Sequence, residues 1–190
     1  MTARTVETGE DAKSAEATLL ARWRGGDPLA FEELLRIHRN GVHALARRLL
    51  GRDDRAEDAT QETLLRAWKA APRFRGDASF RTWILRIALN VSRTAAARIP
   101  REVGWEAVSE PSSGGGGADA GIALAEARRR VREAVSGLPP RQREAIVLKV
   151  YSDLTYEQVA SILGVTVGAA KAHVHQATAN LRRRLEEGRR

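Results

Sequence analysis

Apolar residues recur at steps of three and four over most of this chain, the period of helices with one buried face. Over 15–23 the pattern predicts an amphipathic helix stopped by Gly25 and Gly26. Asp27 and Pro28 then supply an N-cap followed by proline in the first turn. Phe31, Leu34, Leu35, Ile37, Val42, Leu45, Ala46, Leu49 and Leu50 carry the period to Gly51 as core positions. A third helix, RAEDATQETLLRAWKA, follows Asp53 and Asp54 and turns Ala56, Thr60, Leu64, Ala67 and Trp68 inward. A fourth, FRTWILRIALNVSRTAAAR, starts behind Ser79 as N-cap and buries Phe80, Ile84, Ile87 and Val91. Two stretches break the period. Residues 1–14 are polar and are expected to form a disordered tail; 99–122, IPREVGWEAVSEPSSGGGGADAGI, are expected to form a flexible linker.

Beyond the linker an Arg-rich helix is predicted over 123–135, ending near Gly137. Leu138, Pro139 and Pro140 open another, with Ile146, Val147 and Val150 inward. The last stretch, TYEQVASILGVTVGAAKAHVHQATANLRRRL, holds two helical signals separated by a very short turn. Thr155 with Gln158 three residues later is a capping-box start, and Gly164 stops the first helix. Thr166 is the N-cap of the second, whose Ala170, Val174, Ala177, Leu181 and Leu185 form the inward stripe. Steps of about 100° put Gly168, Ala172, His175, Gln176 and Arg183 on the opposite side, with Lys171 on its flank. That is the arrangement of a helix-turn-helix, whose second helix lies in the DNA major groove. Small Gly168, Ala169 and Ala172 would let the backbone approach the groove floor. Thr155 and Tyr156 join the candidate DNA-binding positions, as do Arg141 and Arg143, which suit phosphate contacts but are equally compatible with a solvated first turn. The fold class is therefore all-α, with two small helical domains, 15–98 and 123–190, joined by the linker.

Charge and composition narrow the partners. The formal net charge of +8 favours a polyanion. The absence of cysteine excludes disulfides and thiolate metal sites. No apolar run is long enough to cross a membrane and no hydrophobic signal segment opens the chain, so a cytoplasmic protein without membrane insertion is expected. No nucleophile triad, paired acids, phosphate loop or metal-ligand spacing appears. The reading is a non-enzyme without cofactor, catalytic residue or metal; His38 and His43 lack partner ligands, and His173 and His175 fall on different sides of a helix.

Three features of the first domain point outward. Asp58, Glu62 and Leu65 share one face of the third helix, where like charges four apart cost a few tenths of a kcal/mol and an exposed leucine gains nothing in water. A basic, partly apolar partner would explain that face; a solvated face supported by Glu62 with Arg66 is the other reading. The loop PRFRGDAS sets Phe74 between arginines, which suits stacking of an unpaired base or a ring tucked into its own core. On the fourth helix Arg81, Arg86, Asn90 and Arg93 occupy the predicted exposed arc with Leu89 among them and Trp83 at its border. Aromatic groups stack on splayed bases and arginines track a backbone, so the arc fits single-stranded nucleic acid.

Together AEDATQETLLRAWK, FRGDASFRTWILRIALN and LPPRQREAIVLKVYSDLTYEQVASILGVTVGAAKAHVHQA resemble a bacterial RNA polymerase sigma factor of the extracytoplasmic-function group, in that family's order. The resemblance implies a sigma domain two, a sigma domain four, and promoter-directed initiation of transcription. It implies that Asp58, Gln61, Glu62 and Leu65 bind core RNA polymerase. Phe74, Gly76, Asp77 and Ser79 would capture a flipped base of the −10 element, while Phe80, Arg81, Trp83, Arg86 and Asn90 would open and hold the strand there. The second domain would read the −35 element as duplex, and an anti-sigma factor would hold the protein inactive. A relaxed linker spans roughly 27 Å and a fully extended one about 80 Å. The two promoter elements lie roughly 85 Å apart at the duplex rise, so the linker must be drawn out. The chain departs from the family in the recognition helix, where Ala169-Ala170-Lys171-Ala172-His173 replaces a common Thr-Val-Lys-Ser-Arg and Gln176 stands where Arg is frequent. Fewer bidentate guanine readers are available. The alternative reading is a two-domain helix-turn-helix regulator that acts without replacing the sigma subunit.

Overall fold

The computed structural model describes residues 4–98 and 118–187, with side chains from Ser14 and, in the second segment, from Gly121. Eight α-helices follow in order: α1 (Arg4–Arg24), α2 (Pro28–Leu50), α3 (Asp53–Ala70), α4 (Phe80–Ala97), α5 (Ala118–Ser136), α6 (Pro140–Ile146), α7 (Tyr156–Leu163) and α8 (Val167–Glu187). A 3-10 turn (Ala71–Arg73) follows α3, and a π-helical turn (Val147–Tyr151) continues α6. No strand occurs among the described residues.

Local chemistry sets the corners. Asp27 Oδ1 accepts from the Leu29 amide at 3.0 Å and caps α2, with Pro28 in the first turn. Arg22 grips the same carboxylate with Nε at 3.0 Å and Nη2 at 2.6 Å, tying the end of α1 to the start of α2. That guanidinium is the main reason the Asp27 carboxyl is held below the usual carboxylate range. Gly51 closes α2 in the left-handed region, its amide donating to the Arg47 carbonyl at 2.8 Å. In the second half the Thr155–Gln158 capping box is formed in both directions, and Gly164 takes φ 69° at the corner before α8.

Helices α2, α3 and α4 pack on one another with α1 against α2, around Phe31, Leu34, Val42, Leu45, Phe80 and Ile84. The rings form a connected cluster, with Phe80 centred 5.6 Å from Phe31, 5.5 Å from Phe74 and 5.3 Å from Trp83. In the second half α6 and α7 pack on α8, with Ala145, Ile146, Val159, Ala170 and Ala177 in the buried cluster. One apolar cluster runs through both halves, because α4 packs on α7 as well as on its own bundle.

Several expectations from the periodicity change. Helix α1 begins at Arg4, inside the predicted tail, and α5 begins at Ala118, inside the predicted linker; the remainder of that linker lies outside the described residues. On α3 Ala56, Thr60 and Ala67 are buried as expected, but Trp68 is 44% exposed, and Ala59 and Thr63 widen the buried face in its place. Thr63 bonds back to the Ala59 carbonyl at 2.6 Å, which removes the cost of turning a hydroxyl inward. Ile37 is 47% exposed beside a shallow groove shared with α1, and Val150 is exposed because the wider π turn shifts the phase of α6. Leu89, expected among the exposed arginines, is fully buried because α4 is covered on two sides.

Removing the ring at the centre of the aromatic cluster tests this packing. Phe80→Ala should destabilise the chain by about 3–5 kcal/mol, while Phe80→Leu should cost far less. Denaturant unfolding followed by circular dichroism measures both; a loss under about 1 kcal/mol for the alanine variant would contradict the central position of Phe80.

Candidate nucleic-acid interfaces

On α3 the residues Asp58, Gln61 and Leu65 are exposed and Glu62 is half-buried, so the acidic and apolar positions do share one accessible face. Glu62 accepts from Arg66 Nε at 2.6 Å, an exposed pair one turn apart worth little in water. Gln61 donates to Glu57 at 2.8 Å, the first cause of the lowered Glu57 carboxyl, and Arg39 from α2 completes that pair at 2.6 Å. The sequence reading places Trp68 in the core; the structure adds it to the outer surface, edge-on to Phe31 with centroids 5.6 Å apart.

The loop before α4 divides its residues sharply. Phe74 is buried, with its ring 5.1 Å from Trp83 and 6.3 Å from Trp23, while Gly76, Asp77 and Ser79 are exposed. Of the two alternatives for Phe74, the core contact is the one present in this conformation. Ser79 Oγ accepts from the Thr82 amide at 3.2 Å and caps α4. On α4 itself Phe80 is wholly buried and Trp83 half-buried, whereas Arg81, Arg86 and Asn90 are exposed. The accessible set is therefore cationic and amide-bearing, with rings beneath it.

Helix α8 presents Gly168, Lys171, Ala172, His175, Gln176 and Arg183 outward, and Thr166 at its start accepts from the Ala169 amide at 3.2 Å. Lys171 Nζ lies 5.7 Å from the Tyr156 ring, and Lys149 Nζ 5.2 Å from it, so Tyr156 supports two cations rather than standing free. The Thr155 hydroxyl is engaged in the α7 cap. Gln142 bridges Gln176 at 3.4 Å and Asn180 at 2.8 Å, and Arg183 donates to Asn180 at 3.2 Å, a network the helical period alone does not reveal. Arg141 is exposed; Arg143 turns inward, donates to the Leu138 carbonyl at 3.2 Å, and has its pKa lowered by burial. Among the described residues no cluster of acids and histidines could hold a metal, and no helix is long and apolar enough to cross a membrane.

Residues 34–99 match the Sigma-70 region 2 family, and residues 128–181 match Sigma-70, region 4. The ECF RNA polymerase sigma-E factor of Escherichia coli strain K12 is 30% identical over 172 residues, covering 85% of this chain and 90% of its own. The chain belongs to the ECF sigma factors. The ECF RNA polymerase sigma factor SigW of Bacillus subtilis strain 168 is 27% identical over 172 residues, covering 85% of this sigma factor and 92% of SigW. Among solved structures, CnrH in complex with the cytosolic domain of CnrY superposes with a TM-score of 0.70 at 25% identity, over 91% of this chain and 98% of that one. The sigma factor RpoE of Bartonella quintana, in complex with the anti-sigma factor NepR, gives 0.67 at 27% identity, over 82% and 96%.

The region 2 match therefore covers most of α2 and all of α3 and α4, and the region 4 match runs from within α5 through α6 and α7 into α8. What the sequence does not signal is the pair between them, Arg93 of α4 with Glu144 of α6, because charge patterns along a helix report only neighbours three or four residues away.

Gly76 offers a test of the loop. Its φ of 86° lies in the left-handed region, and a Cβ there would come 2.6 Å from Arg24 Nη2. Gly76→Ala should cost about 1–2 kcal/mol in unfolding free energy. An unchanged denaturation midpoint would contradict this loop conformation.

Proposed function

We propose that this sigma factor joins core RNA polymerase, reads the −35 element with α8 and melts the −10 element with α4, directing transcription initiation. The observation that carries the reading is the joint occurrence of region 2 and region 4 in one chain, in the family's order, over the same helices that expose the two candidate faces. A regulator that left the resident sigma subunit in place would have no use for region 2, so the alternative is disfavoured.

Each face has a physical role in this scheme. Asp58, Gln61, Glu62 and Leu65 supply an acidic rim around an apolar knob, complementary to a basic, partly apolar helical surface of polymerase; Trp68 extends the apolar part. Arg81, Arg86 and Asn90 track the non-template strand, with Gly76, Asp77 and Ser79 receiving an extruded base. Trp83 is the ring near enough to the surface to stack on a splayed base, and Phe74 and Phe80 hold it from beneath. In the major groove Gly168 and Ala172 allow close approach, and Lys171, His175, Gln176 and Arg183 meet phosphates and base edges, with Thr155, Tyr156, Thr166 and Arg141 framing the contact and the inward-turned Arg143 outside it. Tying the Gln176 amide to Gln142 leaves fewer groups free for bidentate reading. RNA synthesis belongs to the polymerase, and the sigma factor supplies positioning and strand opening in the cytoplasm, without catalysis of its own. The anti-sigma factor NepR bound to the similar RpoE supports an anti-sigma factor restraining this chain too.

The polymerase face is tested by Asp58→Arg with Glu62→Arg, which should abolish co-purification with core polymerase while leaving the helical circular dichroism intact; retained co-purification would refute the face. For the −35 face, Lys171→Ala should lower the salt slope of duplex promoter binding by about one, the value for one phosphate contact. An unmoved slope removes Lys171 from the phosphate contacts.

A further inference from the structure

The polar side chains along the seam between α6 and α8 form a single hydrogen-bonded series that ends on the face proposed to meet the −35 element. Arg183 Nη2 donates to Asn180 Oδ1 at 3.2 Å, Asn180 Nδ2 donates to Gln142 Oε1 at 2.8 Å, and Gln142 Nε2 donates to Gln176 Oε1 at 3.4 Å. Gln176, Asn180 and Arg183 follow one another on α8 at steps of four and three, so they stand on one side of the helix. Gln142 reaches them from the first turn of α6. Gln142 and Asn180 are half-buried, whereas Gln176 and Arg183 are exposed.

A carboxamide turned end for end keeps its shape but exchanges its acceptor for its donor, so an isolated glutamine can offer a base either group or both. The series removes that choice. A guanidinium has donors only, so Asn180 accepts from Arg183 with its oxygen and is left to donate with its nitrogen. The same polarity passes through Gln142, and Gln176 receives it on its oxygen, while Gln176 Nε2 has no partner among the described residues. We infer that Gln142 is a positioning residue that sets base specificity: it holds Gln176 as a hydrogen-bond donor only, so that this point of α8 selects guanine over adenine in the major groove. This inference rests on the placement of α8 at the −35 element. Adenine is read by a glutamine whose oxygen accepts from N6 while its nitrogen donates to N7, and here the oxygen is already engaged. Guanine presents acceptors at both N7 and O6, which suit an amide nitrogen with two hydrogens to give. The neighbouring cations act in the same sense, because Lys171 and Arg183 also have nothing but donors to offer.

The test is a selection of duplex DNA, randomised over the promoter region, by the full-length chain assembled with core polymerase. Bound duplexes are sequenced for the wild type, Gln142→Leu, Gln142→Glu, Gln176→Ala and the double variant Gln142→Glu with Gln176→Ala, each with its helical circular dichroism recorded. Gln176→Ala marks the position that Gln176 reads, since base preference should flatten there. At that position the wild type should favour guanine over adenine by roughly fivefold or more. Gln142→Leu frees the Gln176 oxygen and should bring adenine to parity or beyond. In Gln142→Glu the introduced carboxylate can only accept, so Gln176 turns its nitrogen inward and its oxygen to the groove, and the preference should reverse to adenine. The double variant should show no reversal. Because each preference is a ratio within one selection, it is unaffected by the uniform weakening that a negative charge near phosphates brings. A residue that merely supports the fold would lower binding to every sequence and leave the ratio in place; that result in both Gln142 variants would overturn the inference, as would a wild type that favours adenine. If the wild type enriches a −35 sequence but Gln176→Ala flattens no position, the inference falls and the −35 reading stands. A wild type that enriches no sequence refutes both.

Discussion

Helix α4 must satisfy two environments at once, and the rest of the structure follows from how it does so. Its first turn buries Phe80 among Phe31, Phe74 and Trp83, while Ile84, Leu85, Ala88 and Leu89 extend the buried surface along the helix. That leaves a narrow strip on which Arg81, Arg86, Asn90 and Arg93 can stand. Dispersion and burial fix the backbone, and the cations are thereby held at defined places instead of on a mobile loop. The loop from Phe74 to Ser79 is anchored at one end by the Phe74 ring and at the other by the Ser79 cap, so its exposed Gly76 and Asp77 are positioned by what is buried on either side.

The signals that were legible in the sequence are those with a local cause. Asp27–Pro28, Ser79, the Thr155–Gln158 box and Gly164 act through backbone groups a few residues away, and each occupies the expected corner. The inward stripe of α8 is likewise present at Ala170, Val174 and Ala177. The angular count fails where burial comes from elsewhere in the fold. Leu89 is covered from a second side by the region 4 half, Trp68 is displaced outward by small Ala59 and Thr63, and Val150 is rotated out by a π turn that no helical wheel anticipates. The candidate site was legible as a set of faces, but not in which of its members reach the surface. Ser79 and Thr155 spend their hydroxyls on the caps expected of them and Phe80 lies in the core as its period requires, whereas Arg143 turns inward and the Arg93–Glu144 pair joins residues too distant in sequence to be paired by pattern.

The two faces that the proposed function assigns to DNA would use different physics. On α8 the outward residues near its start are mostly small or neutral around Lys171, and Arg182, Arg183 and Arg184 cluster towards its end, so backbone proximity and phosphate attraction would dominate over hydrogen-bonded base reading. On α4 the arginines Arg81, Arg86 and Arg93 stand above buried rings, the combination that would favour an unpaired strand over a duplex. The division matches the tasks of docking on closed DNA and holding it open.

The central claim is that this chain gives RNA polymerase a choice of start site. Run-off transcription with purified core polymerase over a library of promoter fragments measures it directly. The account predicts discrete transcripts from a subset of templates that appear only when the chain is added. Transcription unchanged by the chain, or initiation equally frequent on every template, would contradict it.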